Sequence, residues 1–440
     1  MASDATTLGE QTLRKVSRRI IPYIFLLYIV AFLDRVNLGY VALDMNKSLG
    51  LSSQVFGLIS GIFFFGYFIF EVPSNILMHR VGARIWIARI LISWGIVVVI
   101  TAWAQNATHL YILRFLLGLA EAGFFPGIIL YITYWFRAKE QARAFALFMT
   151  ALAASNIVGA PVSTWIMDHI HWLGMPGWRW VFVLEGLPAI IMGIMTYFYL
   201  TDRPEDAHWL TQEEKEWLKT ELQREHEAKQ RVKQYTTAEV LTNSRVWHLS
   251  LIYFTQVLGL YGIGFWMPTI IKAFSKILTN TQVGLITMIP YIVGAAGMIW
   301  WARRSDRTGE RRMHAAIPPI VGALGLIGAG MTSNPYVSIM MMAIATAGIY
   351  SFFGPFWALP AMFLSESAAA VGIAVINSIG NLGGFVGPYM LGVLKDATGS
   401  VTVGLIFLSV SLIVTSLLIF AIRKEHVGSS FFPSSDVEAQ

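Results

Sequence analysis

The chain has 440 residues, of which 55% are hydrophobic and 13% charged, with no cysteine and a net charge of +6. Soluble domains carry about 25% charged residues, so this composition points to a chain held mostly in lipid, and the missing cysteines exclude disulfides, thiolate catalysis and cysteine-ligated metals. The positive balance does not indicate nucleic acid, because Lys and Arg collect in short gaps between apolar runs rather than in a stripe.

Residues 1–19 are polar and end on Arg14-Lys15 and Arg18-Arg19, a cytoplasmic lead-in to a first span rather than a cleavable leader. Apolar runs follow at about 20–43, 54–78, 85–104, 109–135, 143–167, 179–200, 247–274, 282–302, 314–332, 336–364, 370–394 and 401–422. Each is near the roughly 20 residues that a membrane helix needs. The gaps after the second, fourth and eighth runs hold Arg80 and Arg84, then Arg137, Lys139 and Arg143, then Arg303, Arg304, Arg307, Arg311 and Arg312. The alternate gaps are poor in basic residues, which puts both termini in the cytoplasm and makes the number of spans even. The gap at Ser365-Glu366-Ser367 lacks basic residues and adds nothing to that bias.

The gap from 201 to 246 is long and dense in Glu, Lys and Arg. Thr211-x-x-Glu214 reads as a capping box that opens a solvated linker helix running to about Lys233. It divides the chain into an amino-terminal bundle (1–200), a cytoplasmic linker (201–246) and a carboxy-terminal bundle with its tail (247–440). The two halves echo one another: His79-Arg80-Val81-Gly82-Ala83-Arg84 and Asp306-Arg307-Thr308-Gly309-Glu310-Arg311 share an Asp/His-Arg-x-Gly-x-Arg frame at the same point of each half. The expected fold is an all-α membrane protein with twelve transmembrane helices in two pseudo-symmetric six-helix bundles.

Ionised residues inside the spans are the functional signal. Asp34 and Arg35 lie in the first run, Arg114 and Glu121 in the fourth. Each would cost roughly 2.5–3.5 kcal/mol facing lipid at mid-bilayer, so they must face a polar interior. Seven residues place Arg114 and Glu121 on nearly one helix face. Adjacent residues point about 100° apart, so Arg35 is expected at the transport pathway and Asp34 toward a neighbouring helix, at Arg114 or the fifth span. Glu121 is either a proton carrier or a salt-bridge partner of Arg114.

Tyr67, Gln256, Tyr261, Trp357, Asn377 and Asn381 are polar or amphipathic groups at mid-depth. Buried amides need partners. Gln256 and Asn377 are expected to bind ligand, Asn381 to tie helices together, and Ser155 and Asn156 are weaker candidates. Glu71, Glu185 and Asp168 are expected near span ends, snorkelling or pairing with loop arginines. No histidine spacing fits a metal, and no Walker, dinucleotide or nucleophile motif occurs. The expectation is therefore neither an enzyme nor a cofactor-dependent protein, with protons as the coupling ion.

The six-plus-six layout, the loop motif after the second and eighth spans and the linker resemble the major facilitator superfamily, although His79 stands where aspartate is usual and Ala83 where arginine or lysine is common. Four finer motifs resemble its anion:cation symporter branch, over nearly the whole chain. They are Phe32-Leu-Asp34-Arg35-Val-Asn37-Leu-Gly39, Val81-Gly-Ala-Arg84-Ile-Trp86-Ile, Arg114-x6-Glu121-Ala-Gly-Phe-Phe-Pro-Gly127 and Gly372-Ile-Ala-Val-Ile-Asn377. The resemblance implies a monomeric transporter of the bacterial inner membrane that imports an organic acid anion with protons by alternating access. Tartrate, galactonate, rhamnonate, phthalate and 4-hydroxyphenylacetate are substrates of that branch. It also implies that Arg35 binds the substrate carboxylate, that Tyr67 contacts substrate, and that Asp34 and Glu121 take part in coupling. The expected substrate set is Arg35, Tyr67, Gln256, Tyr261, Trp357 and Asn377; the coupling set is Asp34, Glu121 and Arg114. Two rivals remain open. One is a cation or drug exporter on the same fold, against which Arg35 and Arg114 argue. The other is a membrane sensor of organic acids that signals through the linker.

Overall fold

The computed structural model describes residues 2–230, 237–274, 277–363 and 366–422. Lys233 and Ser365 lie outside the described residues, as do the side chains of Lys139, Arg143, Glu366 and Ser367. The first half forms α1 (Ala2–Ser48), α2 (Ser53–Val81), α3 (Ala83–Thr101), α4 (Ala107–Glu121), α5 (Phe124–Thr133), α6 (Ala138–His169) and α7 (Gly177–Tyr199). The linker contributes α8 (Gln212–Gln230) and α9 (Thr237–Leu241). The second half forms α10 (Ser244–Phe274), α11 (Asn280–Thr308), α12 (Arg312–Met331), α13 (Pro335–Ser351), α14 (Phe353–Phe363), α15 (Glu366–Asn381), α16 (Gly383–Thr398) and α17 (Val401–Phe420). No strand occurs among the described residues.

The twelve apolar runs fall in order on α1, α2, α3, α4–α5, α6, α7, α10, α11, α12, α13–α14, α15–α16 and α17. Ten of these stretches are long and apolar enough to cross a membrane by length and composition; α6 and α15–α16 complete the twelve. Helices are the open-ended way to satisfy every backbone group in hydrocarbon, and the polar residues between runs start them. Ser52 Oγ accepts from Val55 N at 3.2 Å, and Asn106 Oδ1 from His109 N at 2.9 Å. Thr279 and Gln282 form a reciprocal capping box at α11. The repeated loop motif has a backbone reason. Gly82 ends α2 at φ 97° and Gly309 ends α11 at φ 67°, a region that side chains other than glycine's disfavour.

Within the first half α3 packs along α7, α2 along α4 and α1 along α6; within the second α12 packs on α13 and α17, and α10 on α17. The halves meet along α2–α16, α6–α11 and α1–α10. On the face opposite the termini three carboxylates close this seam. Asp396 accepts from the backbone N–H groups of Ser53 (3.1 Å) and Gln54 (2.7 Å) at the start of α2. Asp168 accepts from Thr281 N (2.6 Å) and Oγ1 (2.7 Å) at the start of α11. Asp44 accepts from Asn280 Nδ2 at 2.8 Å. The first N–H groups of a helix lack intrahelical partners and carry its positive pole, so a carboxylate from the other half is a fitting cap. Asp168 therefore caps a helix of the other bundle; it was expected to snorkel or meet a loop arginine.

The linker is docked rather than freely solvated. Thr211 and Glu214 form the expected capping box, with Glu214 Oε2 accepting from Thr211 N at 2.8 Å and Thr211 Oγ1 from Glu214 N at 3.2 Å. Lys15 then reaches Glu214 at 2.9 Å and Arg137 reaches Glu221 at 3.3 Å, which fastens α8 against the first half.

Inside the first half α2 and α4 approach closely: a Cβ on Gly118 would stand 2.0 Å from the Phe63 carbonyl oxygen. Backbone cannot yield as a flexible side chain can. Gly118→Val is expected to force the two helices apart and to cost about 1–3 kcal/mol, read as a lower thermal unfolding midpoint in detergent; an unchanged midpoint would contradict this packing.

Candidate functional site

The site begins at a break in the fourth span. α4 ends at Glu121, and Gly123 takes φ 87° before α5 starts. Ser74 Oγ donates to the Ala122 carbonyl left over by the break (2.7 Å) and itself receives the Trp86 indole N–H (2.9 Å). A Cβ at Gly123 would lie 2.2 Å from Ser74 Oγ, so the break admits only glycine there. It fixes Glu121, 1% exposed, in the last turn of α4.

Arg35 of α1 fills the space beside it. Its Nη2 donates to Glu121 Oε1 in a buried ion pair, and its Nη1 donates to the Tyr261 hydroxyl of α10 at 3.0 Å. Phe63 and Tyr67 present ring faces to the guanidinium, with centroids at 5.2 and 5.5 Å. The cation thus binds a carboxylate of its own bundle and a phenol of the other. Glu121 was open to pairing with Arg114; the structure pairs it with Arg35 instead. Arg114, 1% exposed, stands 5.2 Å over the Phe63 ring, with Nε and Nη2 lacking hydrogen-bond partners. Asp34 turns away from Arg35, as adjacent helical positions must, but its partner is neither Arg114 nor the fifth span. It accepts from the Trp94 indole of α3 at 2.7 Å.

A cavity of about 30 Å3 opens next to Arg35, between the halves. That is space for roughly two waters. Tyr28, Tyr67, Tyr253, Tyr261, Asn377 and Asn381 give its polar wall, and Phe125, Leu152, Leu260 and Phe353 its apolar wall. Arg35, Tyr67, Tyr261 and Asn377 of the expected substrate set are therefore brought together. Gln256 and Trp357 are not on the wall. Gln256 is fully buried and donates to the Ile349 carbonyl at 2.9 Å, in the last turn of α13, where carbonyls run out of helical donors. Trp357 stands behind Tyr253, ring centroids 4.8 Å apart. Asn381, expected as a tie between helices, lines the cavity one turn from Asn377. Asn156 donates to the Tyr350 hydroxyl at 3.2 Å across the seam.

Two expectations about acidic residues are corrected. Glu71 and Glu185 do not snorkel: they are 2% and 4% exposed. Glu185 accepts from Ser163 Oγ at 2.6 Å, and Glu71 from Asn377 Nδ2 at 3.1 Å. Both residues face protein rather than a span end, and their oxygens meet donors on neighbouring helices. The sequence reading missed Tyr28, Tyr253 and Trp94. Tyr28 precedes Arg35 by seven residues, a spacing that marks one helix face; Trp94 gave no comparable signal, because its role depends on meeting Asp34 of another helix.

The profile of the Major Facilitator Superfamily matches residues 24–388. The chain is 48% identical over 417 residues to a protein of Agrobacterium vitis named "Putative tartrate transporter", covering 95% of this chain and 96% of that one. It is 36% identical over 413 residues to a quinolone resistance transporter of Acinetobacter baumannii, covering 94% of this chain and 95% of that one. The crystal structure of a D-xylose-proton symporter aligns with a TM-score of 0.76 at 16% identity, over 94% of this chain and 99% of that one. At that identity the likeness concerns the fold alone.

Replacing Glu121 by Gln takes from the buried Arg35 the carboxylate it is paired with. Removing one partner of a buried pair costs about 3–5 kcal/mol, so Glu121→Gln is expected to unfold at lower temperature than the wild type. Adding Arg35→Gln removes the orphaned charge and is expected to restore most of the loss. A double variant no more stable than the single one would show that the pair is not energetically coupled.

Proposed function

This chain belongs to the Major Facilitator Superfamily and is a transporter, not an enzyme; on that premise we propose that it imports a small organic acid anion together with protons. The observation that carries the reading is the sharing of Arg35 between Glu121 and Tyr261. A guanidinium binds a carboxylate best through two parallel N–H groups. Here one of its terminal nitrogens is held by Glu121, so a ligand carboxylate competes with Glu121 for the same cation. A proton on Glu121 ends that competition by neutralising it. Proton uptake therefore strengthens anion binding, and anion binding strengthens proton uptake by the same factor.

Arg35 holds the ligand carboxylate, while Tyr67, Tyr261 and Asn377 offer hydrogen bonds to its remaining oxygens. Trp357 and Gln256 stand behind that wall and shape it. Asp34 is the second proton-exchanging carboxylate, and Arg114, near both acids, balances the charge they leave or carry. A cavity of about 30 Å3 cannot hold a molecule the size of tartrate. Loading thus requires one bundle to rock against the other, which makes transport an alternation between faces. The arginines at the ends of α2 and α11 and in the loops that follow lie on the face that carries the termini, and their positive-inside bias supports a cytoplasmic position for it. A bacterial inner membrane and a monomer suit this reading.

The name of the Agrobacterium relative supports a hydroxy acid such as tartrate for this chain. A second reading has its own support. The wall carries the rings of Tyr28, Phe125, Tyr253 and Phe353, and the Acinetobacter relative is named for quinolone resistance, so an aromatic amphiphile leaving the cell is the alternative cargo.

Purified protein in proteoliposomes with an imposed inward proton gradient separates the two. Accumulation of tartrate or another small carboxylate supports import, whereas proton-driven extrusion of a quinolone and no carboxylate uptake supports the second reading. Glu121→Gln vesicles are expected to exchange anion but not to concentrate it; concentration against a gradient would remove Glu121 from coupling. Arg35→Ala is expected to abolish the thermal stabilisation given by the anion, and stabilisation equal to wild type would place the carboxylate elsewhere.

A further inference from the structure

Glu71 lies one helical turn along α2 from Tyr67, on the side of the cavity toward the termini. Its two carboxylate oxygens are engaged separately. Oε1 accepts from Asn377 Nδ2 at 3.1 Å and Oε2 accepts from Ser378 Oγ. Both donors belong to α15, so this carboxylate joins the two halves. Among the described residues no cation pairs with it: Arg35 of α1, the Tyr253 phenol of α10 and, on its own helix, the Tyr67 phenol are the charged and titratable groups that act on it. It is unlike Glu121, whose partner is a guanidinium.

Its position gives it meaning. The face opposite the termini is closed by Asp44, Asp168 and Asp396. Asn156–Tyr350 and Arg35–Tyr261 bridge the middle. Glu71 joins the halves on the terminus-bearing side of these contacts. One of its donors, Asn377, also lines the cavity.

We propose that Glu71 is a positioning residue for transport: its clasp on Asn377 and Ser378 holds the terminus-bearing side of the cavity shut, and an anion in the cavity releases it. The second half of that statement rests on the anion reading given above; the first does not. The release has two physical parts. An anion oxygen beside Asn377 is an alternative acceptor for the same amide. The anion also brings a like charge next to the Glu71 carboxylate, in a setting where little water screens the repulsion. Loading the site thereby weakens the hydrogen bonds that keep its exit closed.

The chain has no cysteine, so paired reporters can be placed without removing native thiols. Arg80→Cys and Arg307→Cys, at exposed ends of α2 and α11, carry nitroxide labels, and the inter-label distance is measured in nanodiscs. Without ligand, Glu71→Ala is expected to shift the distribution to longer distances than the wild type. Ser378→Ala, which removes one of the two donors, is expected to shift it part of the way and decides the matter if Glu71→Ala does not fold. Glu71→Gln is expected to keep the wild-type distribution, since its oxygen can accept from Asn377 and its amide can donate to Ser378. A Gln variant that opens like the Ala variant, or an Ala variant that superposes on the wild type, overturns the clasp. Tartrate added to the wild type is expected to move it toward the Glu71→Ala distribution. Tartrate that stabilises the protein thermally without moving the distance overturns release by the anion. Tartrate that does neither counts against the anion reading, and the ligand-free comparison still decides the clasp.

Discussion

A buried guanidinium is the constraint around which this molecule is arranged. Arg35 is 8% exposed, and an isolated charge at that depth would be prohibitive. It is tolerable because Glu121 neutralises it and Tyr261 and two ring faces surround it. That solution places the compensating groups on three other spans, α2, α4 and α10, drawn from both halves. A charge stabilised in this way is also a charge that can be handed over. Whatever neutralises or replaces one partner changes how the two bundles are held together.

Breaks in the spans position these groups. The fourth span stops at Ala122–Gly123 and the tenth at Phe352, and the eleventh divides at Leu382. A broken helix exposes carbonyls that lack donors, and irregular backbone at membrane depth survives where protein supplies them. Ser74 serves the break in the fourth span and Gln256 the last turn before the break in the tenth. These polar side chains look like ligands for a substrate when read as letters, yet some are spent on backbone. Each break in turn leaves a cavity-facing residue nearby: Phe125 after the first, Phe353 after the second, Asn381 before the third.

The pseudo-symmetry extends to how one face is sealed. α2 and α11 are the second spans of their halves, α6 and α16 the fifth. The end of α6 caps α11 through Asp168, and the end of α16 caps α2 through Asp396. Both latches use the same device, a carboxylate on the free N–H groups of a helix start. Such contacts sit at the rim, where water can replace either partner, so they can be made and broken without stranding a charge in hydrocarbon. Glu71, by contrast, sits inside, and breaking its contacts demands a substitute acceptor or a compensating rearrangement.

Much of the architecture was legible in the letters. Apolar runs of bilayer length can fold only as helices, so their number and order followed from hydropathy, and Thr211 and Glu214 announced the linker helix through local hydrogen bonding alone. That Asp34, Arg35, Arg114 and Glu121 must be sheltered was equally plain, since lipid cannot solvate them. Which acid meets which base was not. Arg114 and Glu121 share a helix face, but Arg35 of α1 reaches Glu121 of α4 across the interior of the bundle. Asp34 finds Trp94 on α3, and Glu71 proved interior because its helix face meets α15 of the other half. Spacing along one helix fixes direction; partners on other helices depend on how helices are placed, and only the packed bundles decide that.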